Sequence, residues 1–517
     1  MTTFKSGRLY IIGAGFAGQT LAREIRNKGI YGEVIAFLDD DKEKIGRRIE
    51  DIPVLGPIRD VAKLFRLHPA DEAIIAIPTA SKEYLEEIYR ILKSAGFERI
   101  RILPGISQII DGDEARSDAH LIQTRSIDPQ DLLGRTPVRV NLRQSLSYLR
   151  GKRVLVTGAG GSIGSELCRQ LLSAGASRLY LFGHGENSIY QIDRELRLLQ
   201  EEGVGEKAIL VPIIGDLKDR NYMDWIMSQL KADVVFNTAA YKHVPMMEEN
   251  PVAAIDNNLF GTENLLYASR KHGVKRFVHI TTDKAVEPVS VYGVSKYLCE
   301  GLVLDAAKKN NGNDDISFMV VRFANVLGSR GSIMPLFQKQ IEKGGPVTIT
   351  HPDMQRWFMT IPEACSLVLK AGGVGKNSCL YLLDMGEPVK IQDLAEQMIR
   401  FYGLIPNEDI NIEYIGLRSG ERLDEKLWWD YEIPYPTDFE RILKVEHSEE
   451  ENKLKNIDIK DIMDELKAIC HFDPLQPEKY RNSKLLKEIL KRHIPSYAEE
   501  NLHKEQKQYA ELKQVLR

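Results

Sequence analysis

The chain has 517 residues, room for about three domains at ~150 residues each, which excludes a small disulfide-stapled module. Seventy Lys and Arg stand against 74 Asp and Glu, a formal charge of −4, so no overall basic field draws the chain toward nucleic acid or anionic lipid. Hydrophobic residues make up 43% and charged residues 28%, an ordinary globular balance, and the five cysteines are scattered without a CxxC pair, which points to reduced thiols and against a zinc or other metal site. Apolar runs such as Ala73 to Pro78 fall far short of the ~18 residues a membrane span needs, and Met1 to Arg8 lack the apolar core of a signal peptide. The expectation is a cytoplasmic chain without a membrane span.

In chain order, the first element is an apolar strand at Leu9 running into Gly13, Gly15 and Gly18 and then a helix, followed by a strand Glu33 to Leu38 and an acidic turn Asp39 to Asp41. A buried strand Glu72 to Ile77 follows, and this small α/β domain ends near residue 125. Residues 126–150, with Asp128-Pro129 and Thr136-Pro137, read as a surface connector. The opening pattern then repeats 145 residues on: a strand from Arg153 leads into Gly158, Gly161 and Gly164.

Strand-like runs at Val154, Leu179 to Phe182, Ile209 to Ile214, Val234 to Asn237, Phe277 to Thr281 and Phe318 to Phe323 alternate with helical stretches, the signature of a doubly wound parallel sheet. From about 325 to 430 the alternation becomes irregular, as in a smaller substrate-binding lobe, and residues 431–517 read as a helical extension. The predicted fold is therefore α/β, with two Rossmann-like doubly wound parallel-sheet domains (1–125 and 151–430, the latter including the lobe), a linker at 126–150 and the helical C-terminal extension.

Glycines at 158, 161 and 164 between a strand and a helix let a pyrophosphate approach the backbone and the helix N-terminus, so Gly158, Gly161, Ser162, Ile163 and Gly164 are candidate dinucleotide contacts. Asp216 and Leu217, after the third strand, and Ala239 and Ala240, after the fourth, complete the expected cofactor rim; Asp216 either accepts from an adenine amino group or caps a helix. At the end of the second strand, where an acid favours NAD and an Arg favours NADP, the residues are Gly183 and His184, and the absence of an acid leans toward NADP over NAD. In the first domain Asp39 lies 21 residues after Gly18, as in an NAD site, but no catalytic group follows. A nucleotide-type regulatory site and a purely architectural domain both remain open there.

Tyr292 and Lys296 are four residues apart, on one face of a helix, where the ammonium can lower the phenol from its usual ~10 and let it take a proton from a sugar hydroxyl. Just before them, Thr282, Asp283 and Lys284 end a strand on the ligand side of the sheet. A protonated Asp and a neutral Lys suit elimination beside a ketone, and burial with the nearby Lys296 charge would favour the neutral Lys284.

At these residues the chain resembles the extended short-chain dehydrogenase/reductases, and within them the bacterial polysaccharide-biosynthesis UDP-N-acetylglucosamine 4,6-dehydratases. The matching segments include Asp131 to Val138, Thr157 to Leu167, Ala239 to Pro251, Asn257 to Asn264, Thr281 to Ala285, Arg322 to Gly328, Gly345 to Thr350, Arg356 to Ile361 and Gly416 to Leu423. The N-terminal domain is similar to the first Rossmann-like domain of the long members, which usually carry transmembrane helices ahead of it; this chain begins without them, as a soluble or trimmed form would. The resemblance implies Asp283 as the acid for the C6 hydroxyl, Lys284 as the base at C5, Tyr292 as the base at the C4 hydroxyl, Lys296 as partner of Tyr292 and the cofactor ribose, and Thr282 as support. It also implies that Asn325, Arg330, Arg356 and Arg418 hold the nucleotide diphosphate. Lys242 and His243, within one of the matching segments, are further candidates for the substrate side.

The implied reaction converts UDP-N-acetylglucosamine into a UDP-4-keto-6-deoxy-hexosamine with a tightly held, recycled NAD or NADP, in a homo-oligomer, C5 being retained or inverted. A nucleotide-sugar 4-epimerase would share Tyr292 and Lys296 but has no use for the Asp283 and Lys284 pair. A non-catalytic NAD(P)-sensing scaffold needs neither.

Overall fold

The computed structural model describes residues 7–28, 32–77, 80, 82–97, 99–102, 125–126, 146–201, 203–205, 207–309, 315–402, 404–447 and 458–497. Most of the expected connector, with the matching segment Asp131 to Val138, and the chain beyond residue 497 lie outside the described residues.

Two compact units form: residues 1–139 with 337–347 and 393–412, and the remainder. The first is built on a seven-stranded sheet of β1 (Arg8–Ile12), β2 (Glu33–Leu38), β3 (Arg48–Ile49), β4 (Ile52–Gly56), β5 (Glu72–Ile75), β6 (Arg99–Ile102) and β7 (Arg125–Ser126), in the order β3-β4-β2-β1-β5-β6-β7. Only the edge strands β3 and β7 run antiparallel to their neighbours. Leu9, Tyr10, Ile11 and Ile12 are all fully buried, because a central parallel strand is covered on both faces. Gly13, at φ +100°, turns the chain from β1 into α1 (Phe16–Lys28). Asp39 spends its carboxylate on this turn, accepting from the Ala14 amide at 2.7 Å and from Lys44 Nζ at 3.2 Å.

Residues 337–347 and 393–412, expected within the lobe of the catalytic domain, group instead with this first unit. The physical reason is apolar: the Phe401 ring stacks on Tyr89 with centroids 4.2 Å apart and belongs to the same buried cluster.

The second unit carries a nine-stranded sheet: β8 (Arg153–Thr157), β9 (Arg178–Gly183), β10 (Ile209–Ile214), β11 (Val234–Asn237), β12 (Arg276–Thr282), β13 (Ser317–Phe323), β14 (Cys379–Leu383), β15 (Glu432–Pro436) and β16 (Ile442–His447). The order is β10-β9-β8-β11-β12-β13-β14-β16-β15, parallel through β14. The strand order reverses direction between β8 and β11, and ligands of such sheets sit at the carboxyl ends around that switch point.

The extension expected to be helical from residue 431 instead begins with two antiparallel strands, β15 and β16, that complete this sheet. Pro434 and Pro436 disfavour a helix there. Glu432 of β15 pairs with the fully buried Arg322 of β13 at 2.6 Å, and Arg322 also binds Glu300 at 2.7 Å. The helices of the extension come later, α4 (Ile459–Cys470) and α5 (Ser483–His493), after α2 (Ser162–Ser173) and α3 (Val291–Lys308) of the same unit. Ile462, Leu466, Leu486 and Leu490 of α4 and α5 share a buried cluster with Val294 and Leu298 of α3.

Candidate active site

The glycine turn after β8 is dictated by close approach. Gly158 has φ +66°, and a Cβ on it would lie 2.9 Å from the Ala239 Cα; a Cβ on Gly164 would strike the Gly158 carbonyl. Gly161 is the N-cap of α2 and has no side chain to cap the amides of the first turn. Those amide groups are thus left for an anion, which fits the pyrophosphate of a dinucleotide. Ser162 Oγ accepts from the Arg330 amide at 3.0 Å, and the Arg330 guanidinium donates to the Gly160 carbonyl. Ile163 packs against the core. The expected diphosphate ligand Arg330 is therefore bound to the glycine turn itself.

Around this rim, His184 is exposed at the end of β9, its ring edge-on to Tyr241 with centroids 6.2 Å apart. Asp216 is not the helix cap that one of its two readings allowed: Asp219 caps the next helix, accepting from the Tyr222 amide at 2.9 Å. Asp216 forms a local turn by accepting from the Lys218 amide at 3.0 Å and pairs with Lys218 Nζ at 3.3 Å. Leu217 is buried, its carbonyl held by Asn264 at 2.9 Å, and Ala239 and Ala240 line the half-buried loop after β11.

At the carboxyl end of β12 the chain makes one tight turn, Asp283–Ala285, and re-enters helix at α3, whose first turn is capped by Ser290 through the Gly293 amide at 3.0 Å. Gly293 permits this packing, since a Cβ there would run into the Lys284 carbonyl. The turn focuses three donors on one carboxylate oxygen: Asp283 Oδ1 accepts from Thr282 Oγ1 at 2.7 Å, the Lys284 amide at 2.9 Å and Lys284 Nζ at 3.1 Å. Asp283 is fully buried and its Oδ2 has no partner among the described residues, the kind of buried polar atom that calls for a functional explanation. Tyr292, in the first turn of α3, is buried with the Asp283 charge and Thr282 as neighbours.

Lys296, one turn after Tyr292 on α3, makes no direct bond to the phenol among the described residues and does not bring it below its ordinary value. Burial, with the Asp283 charge beside it, raises the Tyr292 phenol above its ordinary value. Lys296 Nζ turns to the Ile280 carbonyl at 2.6 Å and to His279 Nε2 at 3.4 Å, and burial lowers its own pKa. Nor does Lys284 face Lys296: its neighbours are Asp283, Asn325 Oδ1 at 3.4 Å and Glu425 at 3.8 Å.

Further residues of the second unit surround these groups. Lys242 Nζ reaches Ser329 Oγ at 3.4 Å, and burial together with the Lys284 and Arg330 charges depresses its pKa; His243 is likewise lowered by burial and by Lys242. Asn325 donates to the Trp357 carbonyl at 3.2 Å. Arg356, expected to grip phosphate, spends its guanidinium on the carbonyls of Gln355, Arg422 and Leu423 and so builds the 422–425 loop. Arg418 is half exposed and holds Glu421 at 2.6 Å. The loop delivers a residue that the sequence did not single out: the Glu425 side chain is 7% exposed, 3.8 Å from Lys284 and 3.9 Å from Arg356. Burial raises its pKa. Its one signal in the sequence is position, two residues after the matching segment Gly416 to Leu423.

These residues set a glycine turn whose helix has no side chain at its N-cap and, at the turn after β12, gather a phenol, an amine and a carboxylic group. The family model of polysaccharide biosynthesis proteins matches residues 154–447, more than half of the chain. The chain belongs to this polysaccharide biosynthesis protein family. Among its relatives, the capsular polysaccharide biosynthesis protein CapD of Staphylococcus aureus is 42% identical over 84% of this chain and 71% of its own length. A UDP-glucose 4-epimerase of Rickettsia bellii and an inverting UDP-N-acetylglucosamine 4,6-dehydratase of Campylobacter jejuni are each 32% identical over 53% of this chain and 77% of theirs. The solved structure of Pen from Bacillus thuringiensis superposes with a TM-score of 0.52 at 30% identity, covering 58% of this chain and 91% of that one. Among the described residues no helix of this family member is long and apolar enough to cross a membrane.

Proposed function

We propose that this polysaccharide biosynthesis protein is a UDP-N-acetylglucosamine 4,6-dehydratase. The enzyme is of the nucleotide-sugar dehydratase or epimerase type, and the observation that favours the dehydratase is the buried Asp283 bonded through one oxygen to Lys284, with the other oxygen free beside Tyr292. An epimerase moves only the C4 hydrogen and needs no second acid and base.

A bound nicotinamide dinucleotide would supply the hydride chemistry, taking the C4 hydride and returning it to C6. Tyr292 accepts the O4 proton. Lys284, 3.1 Å from Asp283, passes its proton to that carboxylate, and this single transfer creates both the base and the acid. The neutral Lys284 then removes the C5 proton, which the C4 ketone has acidified, and protonated Asp283 gives its proton to the C6 hydroxyl as it leaves as water. Thr282 keeps Asp283 aligned, and a proton returned to C5 completes the UDP-4-keto-6-deoxy sugar, with C5 either retained or inverted.

The residues that would hold the cofactor are Gly158, Gly161, Ser162, Ile163 and Gly164 at its pyrophosphate, with Asp216, Leu217, Ala239 and Ala240 along the adenine side. We favour NADP over NAD because Gly183, not an acid, ends β9. Lys242, His243, Asn325, Arg330 and Arg418 are the proposed substrate contacts, with Arg356 shaping the loop behind them, and the working enzyme is proposed to be a homo-oligomer.

Incubation with UDP-N-acetylglucosamine and identification of the product by NMR tests the reading. A 4-keto-6-deoxy product is expected. Exclusive conversion to the C4 epimer would overturn it in favour of an epimerase.

A further inference from the structure

A row of polar side chains crosses the centre of the large sheet. Thr157, Asn237 and His279 occupy paired positions on the adjacent parallel strands β8, β11 and β12. All three are buried, at 0, 0 and 1% exposure. Thr157 Oγ1 lies 2.7 Å from Asn237 Oδ1, and Asn237 Nδ2 lies 3.0 Å from His279 Nδ1 and 3.2 Å from Thr262 Oγ1. His279 Nε2 then meets Lys296 Nζ at 3.4 Å, so the row ends on the amine of the residue one helical turn after Tyr292 on α3.

Polar groups in a sheet centre are costly unless fully bonded, and a complete row is worth keeping only where it does something an apolar row cannot. Each member of this one can reverse its role. The hydroxyls of Thr157 and Thr262 rotate, the Asn237 amide turns over and the His279 imidazole exists in two neutral tautomers. In one direction the row presents Nε2–H to an uncharged Lys296 amine; in the other it presents a bare Nε2 that accepts from the ammonium. Lys296 can therefore gain or lose a proton inside the protein without leaving any partner unbonded.

We propose that His279 is a positioning residue of the active site, supported by Asn237, whose two tautomers let Lys296 change charge as Tyr292 takes and releases the sugar proton. The other titratable groups near Lys296 do not offer this. Cys299, one turn further along α3, is pushed up to about 11 by burial and stays a thiol, and Glu300 is committed to Arg322 at 2.7 Å. His279 is itself held well below its usual range by burial and by Lys296, so the imidazole is neutral when it faces the amine.

The inference rests on Tyr292 and Lys296 oxidising C4, the part of the proposed function common to dehydratase and epimerase, and not on the dehydration. The experiment is rapid mixing of the full chain, cofactor bound, with UDP-N-acetylglucosamine, following reduced-nicotinamide absorbance against pH. In His279→Leu the apolar neighbour disfavours the ammonium, so the acid limb of the oxidation rate moves up by roughly one pH unit, a loss of about tenfold below it. His279→Gln, whose amide offers both a donor and an acceptor at the Nε2 position, restores the parent limb. Asn237→Asp, which places a carboxylate on Nδ1 and fixes Nε2 as an acceptor for the ammonium, moves the limb the other way. Should His279→Leu fail to fold, the Asn237→Asp shift decides alone. Unchanged limbs in folded, cofactor-loaded variants overturn the inference, whereas a parent enzyme that never reduces its cofactor overturns the proposed function instead.

Discussion

Asp283 and Lys284 are joined through a single carboxylate oxygen: Oδ1 lies 3.1 Å from Nζ and also takes Thr282 and the Lys284 amide, while Oδ2, fully buried, has no partner among the described residues. Such an asymmetric carboxylate uses one oxygen to hold its position and leaves the other for the proposed contact with the C6 hydroxyl. Separate removal of the two side chains should divide the reaction. Lys284→Ala keeps Tyr292 and loses the C5 base, so it should oxidise C4 and stop. Rapid mixing should show reduced-nicotinamide absorbance that rises and persists, and C5 deuterium uptake in heavy water should fall sharply. Normal product and normal C5 exchange from this variant would remove Lys284 from the elimination. Asp283→Asn should leave the C4 step measurable and slow loss of water by ~10²- to 10⁴-fold, the usual worth of a general acid.

Tyr292→Phe keeps the ring packed in its buried place and removes only the phenol oxygen. Oxidation should slow by ~10²- to 10⁴-fold while the protein still retains its dinucleotide. Because burial and Asp283 raise the Tyr292 phenol, the parent enzyme's oxidation rate should climb with pH through the neutral range. A flat profile there would mean that Tyr292 gives up its proton to a partner already in place.

The strands of the second unit were legible because central parallel strands are apolar on both faces: Val154 to Val156 and Phe318 to Val321 have no polar position to disguise them. The cluster of Thr282, Asp283, Lys284, Tyr292 and Lys296 was legible because all five fall within fifteen residues of one strand-turn-helix passage. What spacing does not report is burial or rotamer. Two side chains on one helix face do not have to touch, and Lys296 finds the Ile280 carbonyl and His279 instead of the phenol. Glu425 was hidden for a different reason, since it meets Lys284 only through the fold of the lobe, 141 residues away in sequence. The strands β15 and β16 were hidden by a tail whose Lys and Glu content resembles a helix, although the pairing of Glu432 with Arg322 belongs to the sheet.

That pairing makes a stability prediction. Arg322 is fully buried between Glu300 and Glu432, with two bonds to each carboxylate. Removing Glu432 leaves the Arg322 charge balanced by Glu300 but takes the carboxylate acceptors from two of its buried donor contacts, which typically costs ~1–3 kcal/mol. Glu432→Ala should therefore lower stability by about that amount in chemical denaturation, with loss of the β15 edge detectable by faster amide exchange in Ile442–His447. A change under ~1 kcal/mol would show that β15 contributes little to the fold.

His279 gives stability a pH dependence of known sign. Its folded pKa is depressed well below 6.5 by burial and by Lys296, while in the unfolded chain the imidazole titrates near ~6.5. Between those values the unfolded state binds a proton that the folded state refuses. The contribution of the buried neutral imidazole is therefore complete above pH ~6.5 and is lost as pH falls, by up to about 1.4 kcal/mol per unit, until the folded group itself titrates. Other groups add slopes of their own, so the informative quantity is a difference. Denaturation midpoints of the parent and of His279→Gln should run parallel above pH 7 and converge below pH 6, because the variant lacks the titrating ring. Curves that stay parallel down to pH 5 would mean that His279 takes up its proton as readily in the folded protein as in the unfolded chain.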